Sequence, residues 1–180
     1  MKLYLMRHGL TVWNEKGRSQ GHSQNRLSST GKKQIEEKAK DYSGVKFDII
    51  YASPLMRTMQ TANIMNKYHN VKIIKNDLLI EIDRGIFAGK YFKDLSEEEK
   101  VLFKSTDASC KMESYQQVFD RAKQFVDFLK HECRYDNVLI VTHARVASFI
   151  THILTGTKLD LNDKKSFISY FNAEIKEFII

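Results

Sequence analysis

Two apolar runs in this chain break off at a histidine. Residues 2–6, KLYLM, read as a first strand, and the run stops at Arg7, His8 and Gly9. Asn137 opens VLIVT, a continuous run that ends at Thr142 and His143 and so repeats the opening pattern. Between them, Phe47 to Tyr51 reads as a second short strand and Val71 to Ile74 as a third, with Leu78 to Ile80 leading into a loop. Strands with no polar face are buried on both sides, which is the signature of a sheet covered by helices.

The intervening segments carry helical spacing. The turn-like Ser28-Ser29-Thr30-Gly31 leads into a helix to about Tyr42, with Ile35, Ala39 and Tyr42 on one face, and Ser43-Gly44 ends it. Pro54 suits a helix's first turn, and Arg57 to Tyr68 completes that helix. Ser96 with Glu99 forms a capping box for a short helix through Phe103, and 104–112 is polar and loop-like. Residues 113–132 give the clearest pattern: Tyr115, Val118, Phe119, Ala122, Phe125, Val126 and Leu129 recur at three and four, a core stripe. Ala144 to Leu154 is a further helix ended near Gly156, and Ser166–Phe171 with Glu174–Ile180 reads as a closing hairpin around Asn172-Ala173.

Strands alternating with helices predict an α/β protein with helices on both faces of a sheet, made mixed by the final hairpin. With no linker, repeat or low-complexity tract, residues 1–180 form one domain. In such sheets ligands bind beyond the carboxyl ends of the strands, where both RHG and TH fall.

Composition narrows the class. An apolar content of 42% with 28% charge is that of a globular chain, and 180 residues need no covalent staple. The two cysteines, Cys110 and Cys133, show no spacing that asks for a bond, which fits a reducing compartment. The opening MKLYLMRHG is too short an apolar run for a signal peptide, and no run nears the roughly 18 residues of a membrane span. A cytoplasmic protein with no membrane partner is the expectation. The net charge of +7 is largely scattered lysine, such as Lys32, Lys33, Lys38 and Lys40 interleaved with Glu36 and Glu37. That is helix surface, without the aromatic and basic interleaving of a nucleic-acid groove, so no nucleic-acid partner is expected.

Several residues could do chemistry. Arg7 offers a fork of donors matched to phosphate or carboxylate. His8 can be nucleophile, base or metal ligand, and Gly9 lets a backbone N–H approach an anion. Thr11 and Asn14 can bind an anion by side chain, and Arg57 falls in the first turns of a helix, where the dipole favours anions. His143 is the second strand-end histidine. Glu81, between Ile80 and Ile82, is an acid in an apolar setting of the kind that raises a carboxyl pKa and makes a general acid. His8, His143 and Glu81 are also metal-ligand types, but no ligand spacing supports a metal and two arginines would repel one, so neither a metal nor another cofactor is expected.

Five blocks together carry a family resemblance: LYLMRHGLTVWNEKGRSQGH (3–22), LSSTGKKQ (27–34), YASPLMRTMQTANIM (51–65), LLIEIDRGIFAGK (78–90) and VLIVTHARV (138–146). In this order they resemble the histidine phosphatase superfamily, the phosphoglycerate mutase-like group. The resemblance implies a single-domain three-layer α/β/α sandwich on a mostly parallel sheet. It implies His8 as the nucleophile that becomes phosphohistidine, Arg7, Arg57 and His143 around the transferring phosphoryl group, Asn14 in support, and Glu81 as proton donor. Gln20, Gly21 and His22 fall where family members shape the substrate site. Arg18, Arg84 and Lys90 are further candidates for its wall, and Arg145 for its mouth, against water or a second acidic group. His8 must attack uncharged, whereas His143 works best as a cation, and these opposite needs predict a bell-shaped or broad acidic-to-neutral pH profile.

The pattern departs from the family at Phe87-Ala88-Gly89, where phosphatases often carry Trp-Glu-Gly, and at His143-Ala144-Arg145, where His-Gly is usual. The stretch from Glu81 to His143 is short, which favours a small phosphatase over a mutase, whose phospho-enzyme must be kept from water. The expected partner is a phosphorylated small molecule. A mutase-type transferase and a non-catalytic phosphate-binding or protein-interaction module are the alternatives. Phe167, Ile168, Phe178, Ile179 and Ile180 suit either a core or a homodimer interface. Tyr91 and Phe92 are candidates to close over an apolar part of the substrate.

Overall fold

A computed structural model describes residues 1–180. Five strands form one sheet in the order β3-β2-β4-β1-β5. They are β1 (Lys2–Arg7), β2 (Ile49–Ala52), β3 (Lys72–Lys75), β4 (Asn137–Thr142) and β5 (Ile175–Ile179). β1, β2, β3 and β4 run parallel, and β5 pairs antiparallel with β1. The fold is α/β with a mostly parallel, mixed sheet.

Alternation along the strands sends successive side chains to opposite faces. Leu3, Leu5, Ile49, Tyr51, Val138 and Ile140 join the cluster that holds Val118, Phe125, Phe149 and Ile150. These last come from α5 (Tyr115–His131) and α6 (Ala144–Thr155). Tyr4, Met6, Ile50, Ala52, Leu139 and Val141 join a second cluster with Ile35, Ala39, Ala62 and Met65, from α2 (Ser29–Asp41) and α3 (Met56–Met65). One sheet thus separates two cores, the three layers expected.

Elements begin where side chains can stand in for missing backbone partners. Ser28 caps α2 by accepting from Gly31 N–H, and the four-residue α1 (Val12–Glu15) has a capping box from Thr11 and Asn14. Ser96 and Glu99 make the expected box for α4 (Glu97–Ser105), which runs two residues past Phe103. Ser114 and Gln117 cap α5, and Gly156 closes α6 in the left-handed conformation.

Three expectations need correction. Pro54 lies outside α3, one residue before its N-cap Leu55. The loop-like segment 104–112 buries Cys110 and Met112 against Phe87 and Leu95, a small third core under the rim. The closing hairpin does not form. Residues 166–171 contain no strand, because β5 takes its partner from β1 instead: Met6 faces Ile175 and Lys2 faces Ile179. Phe167 is buried in the core, Ile168, Phe178 and Ile180 pack against it, and Ile179 is exposed on the sheet's edge strand. Cys110 and Cys133 are both free and buried. No helix is long and apolar enough to cross a membrane.

Candidate active site

Three neighbouring parallel strands end at one rim. His8 follows β1, Ser53 follows β2 and His143 follows β4. The ladder runs one residue beyond the strands: His8 N–H donates to Thr142 O at 2.9 Å and Ser53 N–H to Val141 O at 3.1 Å. Strand register therefore fixes where these three side chains start. A cavity of about 310 Å³ opens at His8, with Arg7, Asn14, Arg57, Glu81 and Arg84 also in its wall.

His8 is almost fully buried. Its Nδ1 lies 2.8 Å from the carbonyl oxygen of Gly9. A carbonyl can only accept, so Nδ1 carries the proton and Nε2 keeps its lone pair. Burial, reinforced by Arg57 and Arg7, holds the His8 pKa well below the usual 6.5. The imidazole that faces the cavity is thus neutral and has one free nitrogen.

His143 is fully buried, its ring 5.2 Å from that of His8. Its Nδ1 accepts from Arg57 Nε at 3.2 Å, which places the proton on Nε2, 2.9 Å from Ser53 Oγ. Burial, then Arg57 and His8, hold its pKa well below 6.5 as well. The cationic His143 expected from the sequence is not what the fold provides: an arginine donates to the nitrogen that would have to take the proton. Ala144, not His143, reaches the cavity wall.

Arg57 is fully buried at the start of α3. Besides His143 it binds two carbonyls, Ser23 O through Nη1 and Gly21 O through Nη2, both at 2.9 Å. Burial pushes its pKa down to about 10, so it stays charged at neutral pH. Arg57 is thereby the pin between the second histidine and the 20–23 turn. Gly21 in that turn has a φ of +51°, and a Cβ there would come within 2.8 Å of Arg84 N. Arg7 is anchored by Nη1 to Tyr170 O at 2.6 Å.

Arg7 Nε, Arg18 Nε, Ser19 Oγ and Arg84 Nη1 are buried without a hydrogen-bond partner, and all four residues line the cavity. Buried polar atoms are normally paired, and leaving one unpaired costs about 1–3 kcal/mol. A cluster of anionic oxygens would satisfy these donors together.

Asn14 Oδ1 accepts from Thr11 N–H at 3.2 Å, which leaves its Nδ2 toward the cavity. Gln20 lines the cavity and accepts from Thr11 Oγ1 at 3.1 Å. Glu81 accepts from its neighbour Ile82 N–H at 3.0 Å and, more weakly, from Arg145 N–H at 3.4 Å. The flanking isoleucines do not enclose this carboxylate: Ile82 points into the core, and Glu81 shares the cavity with Arg7, Arg57 and Arg84. Phe92 is part of the wall, whereas Tyr91 lies beneath the Arg18 guanidinium at 4.5 Å.

Four candidates fall outside: Thr11 is fully buried and donates to Asn14 and Gln20, the exposed Lys90 pairs with Glu99 at 2.8 Å, and His22 and Arg145 lie elsewhere. His22 is exposed, with Nε2 donating to Glu81 O at 2.7 Å. Arg145 lines a separate cavity beside the first. Gly9 N–H donates to Thr61 Oγ1 at 3.1 Å and is not free for an anion. A Cβ at Gly9 would come 2.7 Å from Ile35, so this glycine serves the packing of α2 on β1. Ala88 is exposed and away from the wall. Nowhere do three His, Cys, Asp or Glu side chains converge as metal ligands.

Sequence reasoning missed Ser53, Thr61, Asn172 and Phe103. Asn172 Nδ2 donates to His8 O at 3.1 Å, and Phe103 lies in the wall 4.5 Å beneath Arg84. Ser53 could have been found, since it stands one residue past a buried run as the two histidines do. The other three act across long sequence distances and leave no local signal.

The chain is similar to known proteins over nearly its whole length. The model of the histidine phosphatase superfamily (branch 1) matches residues 3–177. Phosphoserine phosphatase 1 of Hydrogenobacter thermophilus is 36% identical over 155 residues, 79% of this chain and 71% of that one. A probable phosphoglycerate mutase from an Enterobacter species is 35% identical over 100 residues, 56% of this chain and 46% of that one. The crystal structure of a phosphoglycerate mutase from Bacillus anthracis superposes with a TM-score of 0.81 at 23% identity, covering 98% of this chain and 86% of that one.

Proposed function

This chain belongs to the histidine phosphatase superfamily and is a phosphomonoesterase, and from that premise we propose that it hydrolyses a small phosphorylated metabolite, without a metal, through a phosphohistidine on His8. The observation that carries the proposal is the state of His8: neutral, Nδ1 tied to Gly9 O, Nε2 free at the base of a cavity walled by arginines.

Phosphoryl transfer needs positioning and charge stabilisation more than elaborate covalent chemistry. Arg7 and Arg57 hold the equatorial oxygens of the bound ester, and Asn14 Nδ2 adds a donor. The lone pair of His8 Nε2 forms the N–P bond as the P–O bond to the alcohol breaks. Glu81, the acid in the cavity wall, gives a proton to the departing oxygen, and the alcohol leaves. Water then attacks phosphorus, Glu81 takes the water's proton, and the N–P electron pair returns to Nε2, releasing phosphate. His143 does not need to be cationic for this. It is a positioning residue, orienting Arg57 through Nδ1 and held in turn by Ser53. Gln20 and Arg84 face the alcohol part of the substrate. The arginines supply the positive charge that a metal would otherwise bring.

Hydrolysis is favoured over mutase-type transfer by sequence likeness: 36% identity over 79% of this chain to the phosphoserine phosphatase, against 35% over only 56% to the probable mutase. The phosphatase likeness also supports a small phosphorylated molecule as substrate.

The test is phosphate release from a panel of phosphomonoesters with EDTA present, comparing wild type with His8→Ala. Release by wild type, falling at least about 1,000-fold in the variant, is expected. Turnover that survives in His8→Ala, or that EDTA abolishes in wild type, would overturn the proposal.

A further inference from the structure

Beside the cavity at His8 lies a second one of about 200 Å³, lined by Ala144, Arg145, Lys164, Phe167 and the 168–170 segment. The two share Ala144 as a wall. They are also joined through Arg7, which lines the first and donates to the Tyr170 carbonyl of the second.

This second cavity is cationic, and no salt bridge neutralises it. The chain's ion pairs engage other residues, and none includes Arg84, Arg145 or Lys164. Glu81 accepts from the Arg145 backbone N–H at 3.4 Å and its charge favours the Arg145 cation, but it makes no ion pair with the guanidinium. The Arg145 guanidinium lies over the Phe167 ring at 4.3 Å and within 5.4 Å of the Tyr115 ring, and Lys164 Nζ sits 5.4 Å from the same tyrosine. Arg145 Nε is buried with no partner. Aromatic packing thus fixes the guanidinium and leaves its Nε unspent. The phenol of Tyr115 reports the local field: burial pushes its pKa up, but Arg84, Lys164 and Arg145 together outweigh that and hold it below its usual value.

We propose that Arg145 and Lys164 form a second anion subsite, which takes a carboxylate carried by the same molecule whose phosphoryl group sits over His8. An immobilised guanidinium edge matches a carboxylate with two parallel hydrogen bonds, and Lys164 adds a point charge. The substrate class is then phosphomonoesters of hydroxy acids or hydroxy amino acids, rather than of neutral alcohols. This rests on the phosphomonoesterase reading above and refines it.

Two measurements test the subsite separately from turnover. The first is calorimetric binding of phosphonocarboxylates with one, two or three methylenes, against propylphosphonate and propane-1,3-bisphosphonate. At least one phosphonocarboxylate should bind wild type tenfold or more tighter than propylphosphonate and tighter than the bisphosphonate, and this preference should vanish in Arg145→Gln and shrink in Lys164→Met. The second is the ratio of kcat/KM for O-phosphoserine and 3-phosphoglycerate to that for p-nitrophenyl phosphate, which should fall at least tenfold in Arg145→Gln. Equal binding of the charged and neutral phosphonates by wild type would overturn the subsite, and so would a preference that survives both substitutions. A stronger preference for the bisphosphonate would overturn its assignment to a carboxylate. If no ester is turned over, the reading of the site as a phosphatase fails, while the phosphonate preference still decides the subsite.

Discussion

At the scale of single residues, the chemistry depends on which nitrogen holds a proton. The Gly9 carbonyl assigns the proton of His8 to Nδ1, and Arg57 assigns that of His143 to Nε2. Both rings are buried among arginines and resist a second proton. The unfolded chain has no such resistance, so below about pH 6.5 it binds protons that the folded chain does not. Stability contributed by the neutral histidines is complete above about pH 6.5 and falls as the pH drops towards their folded pKa values. Each histidine adds up to about 1.4 kcal/mol of loss per pH unit in that window. Urea unfolding between pH 7 and pH 5 should show this acid slope, and His143→Asn should make it shallower. An equal slope in the variant would mean that other groups set it. If hydrolysis runs through a neutral His8 as proposed, kcat/KM should show no acid limb near pH 6.5, unlike the profile that opposed His8 and His143 charges would give.

At the scale of elements, the site is a product of strand ends. β1, β2 and β4 are adjacent and parallel, so the residues that follow them, His8, Ser53 and His143, are neighbours although far apart in sequence. What holds that register is the core under it. Phe125 of α5 is fully buried against the sheet, its ring 5.9 Å from that of Tyr51 on β2. Phe125→Ala should cost about 3–5 kcal/mol in chemical denaturation, and a loss under 1 kcal/mol would show that α5 is not the main support of this face. This layer was legible in the sequence, because periods of two and of three to four are local signals. α5, α6, β1 and β4 appeared at nearly their full length. The closing hairpin was misread because strand propensity does not say which strand is the partner: Glu174–Ile180 is extended, but it pairs with β1. Arg7, His8, Arg57, Glu81 and Asn14 were legible as one set only through the family-like blocks. Thr61, Asn172 and Phe103 were not, since their roles arise from contacts across the chain.

At the scale of the whole molecule, one sheet separates two cores and collects its unpaired cations at a single rim. Arg7, Arg18, Arg84 and Arg145 each keep a buried polar atom without a partner there, while the scattered lysines form ordinary surface ion pairs such as Lys2 with Glu177 and Lys90 with Glu99. The excess positive charge that reads from composition as diffuse is thus in part concentrated at one rim, with Arg7, Arg18 and Arg84 around His8 and Arg145 in the adjoining cavity. The most direct measurement of what that concentration is for is rapid acid-free quenching of the enzyme with a turned-over phosphomonoester, followed by mapping of the phosphorylated peptide. One phosphoryl group on Nε2 of His8, stable in base and labile in acid, is the expected result. A phosphoryl group on Nδ1 or on another residue, or phosphate release with no labelled peptide at any time point, would contradict a covalent mechanism through this histidine.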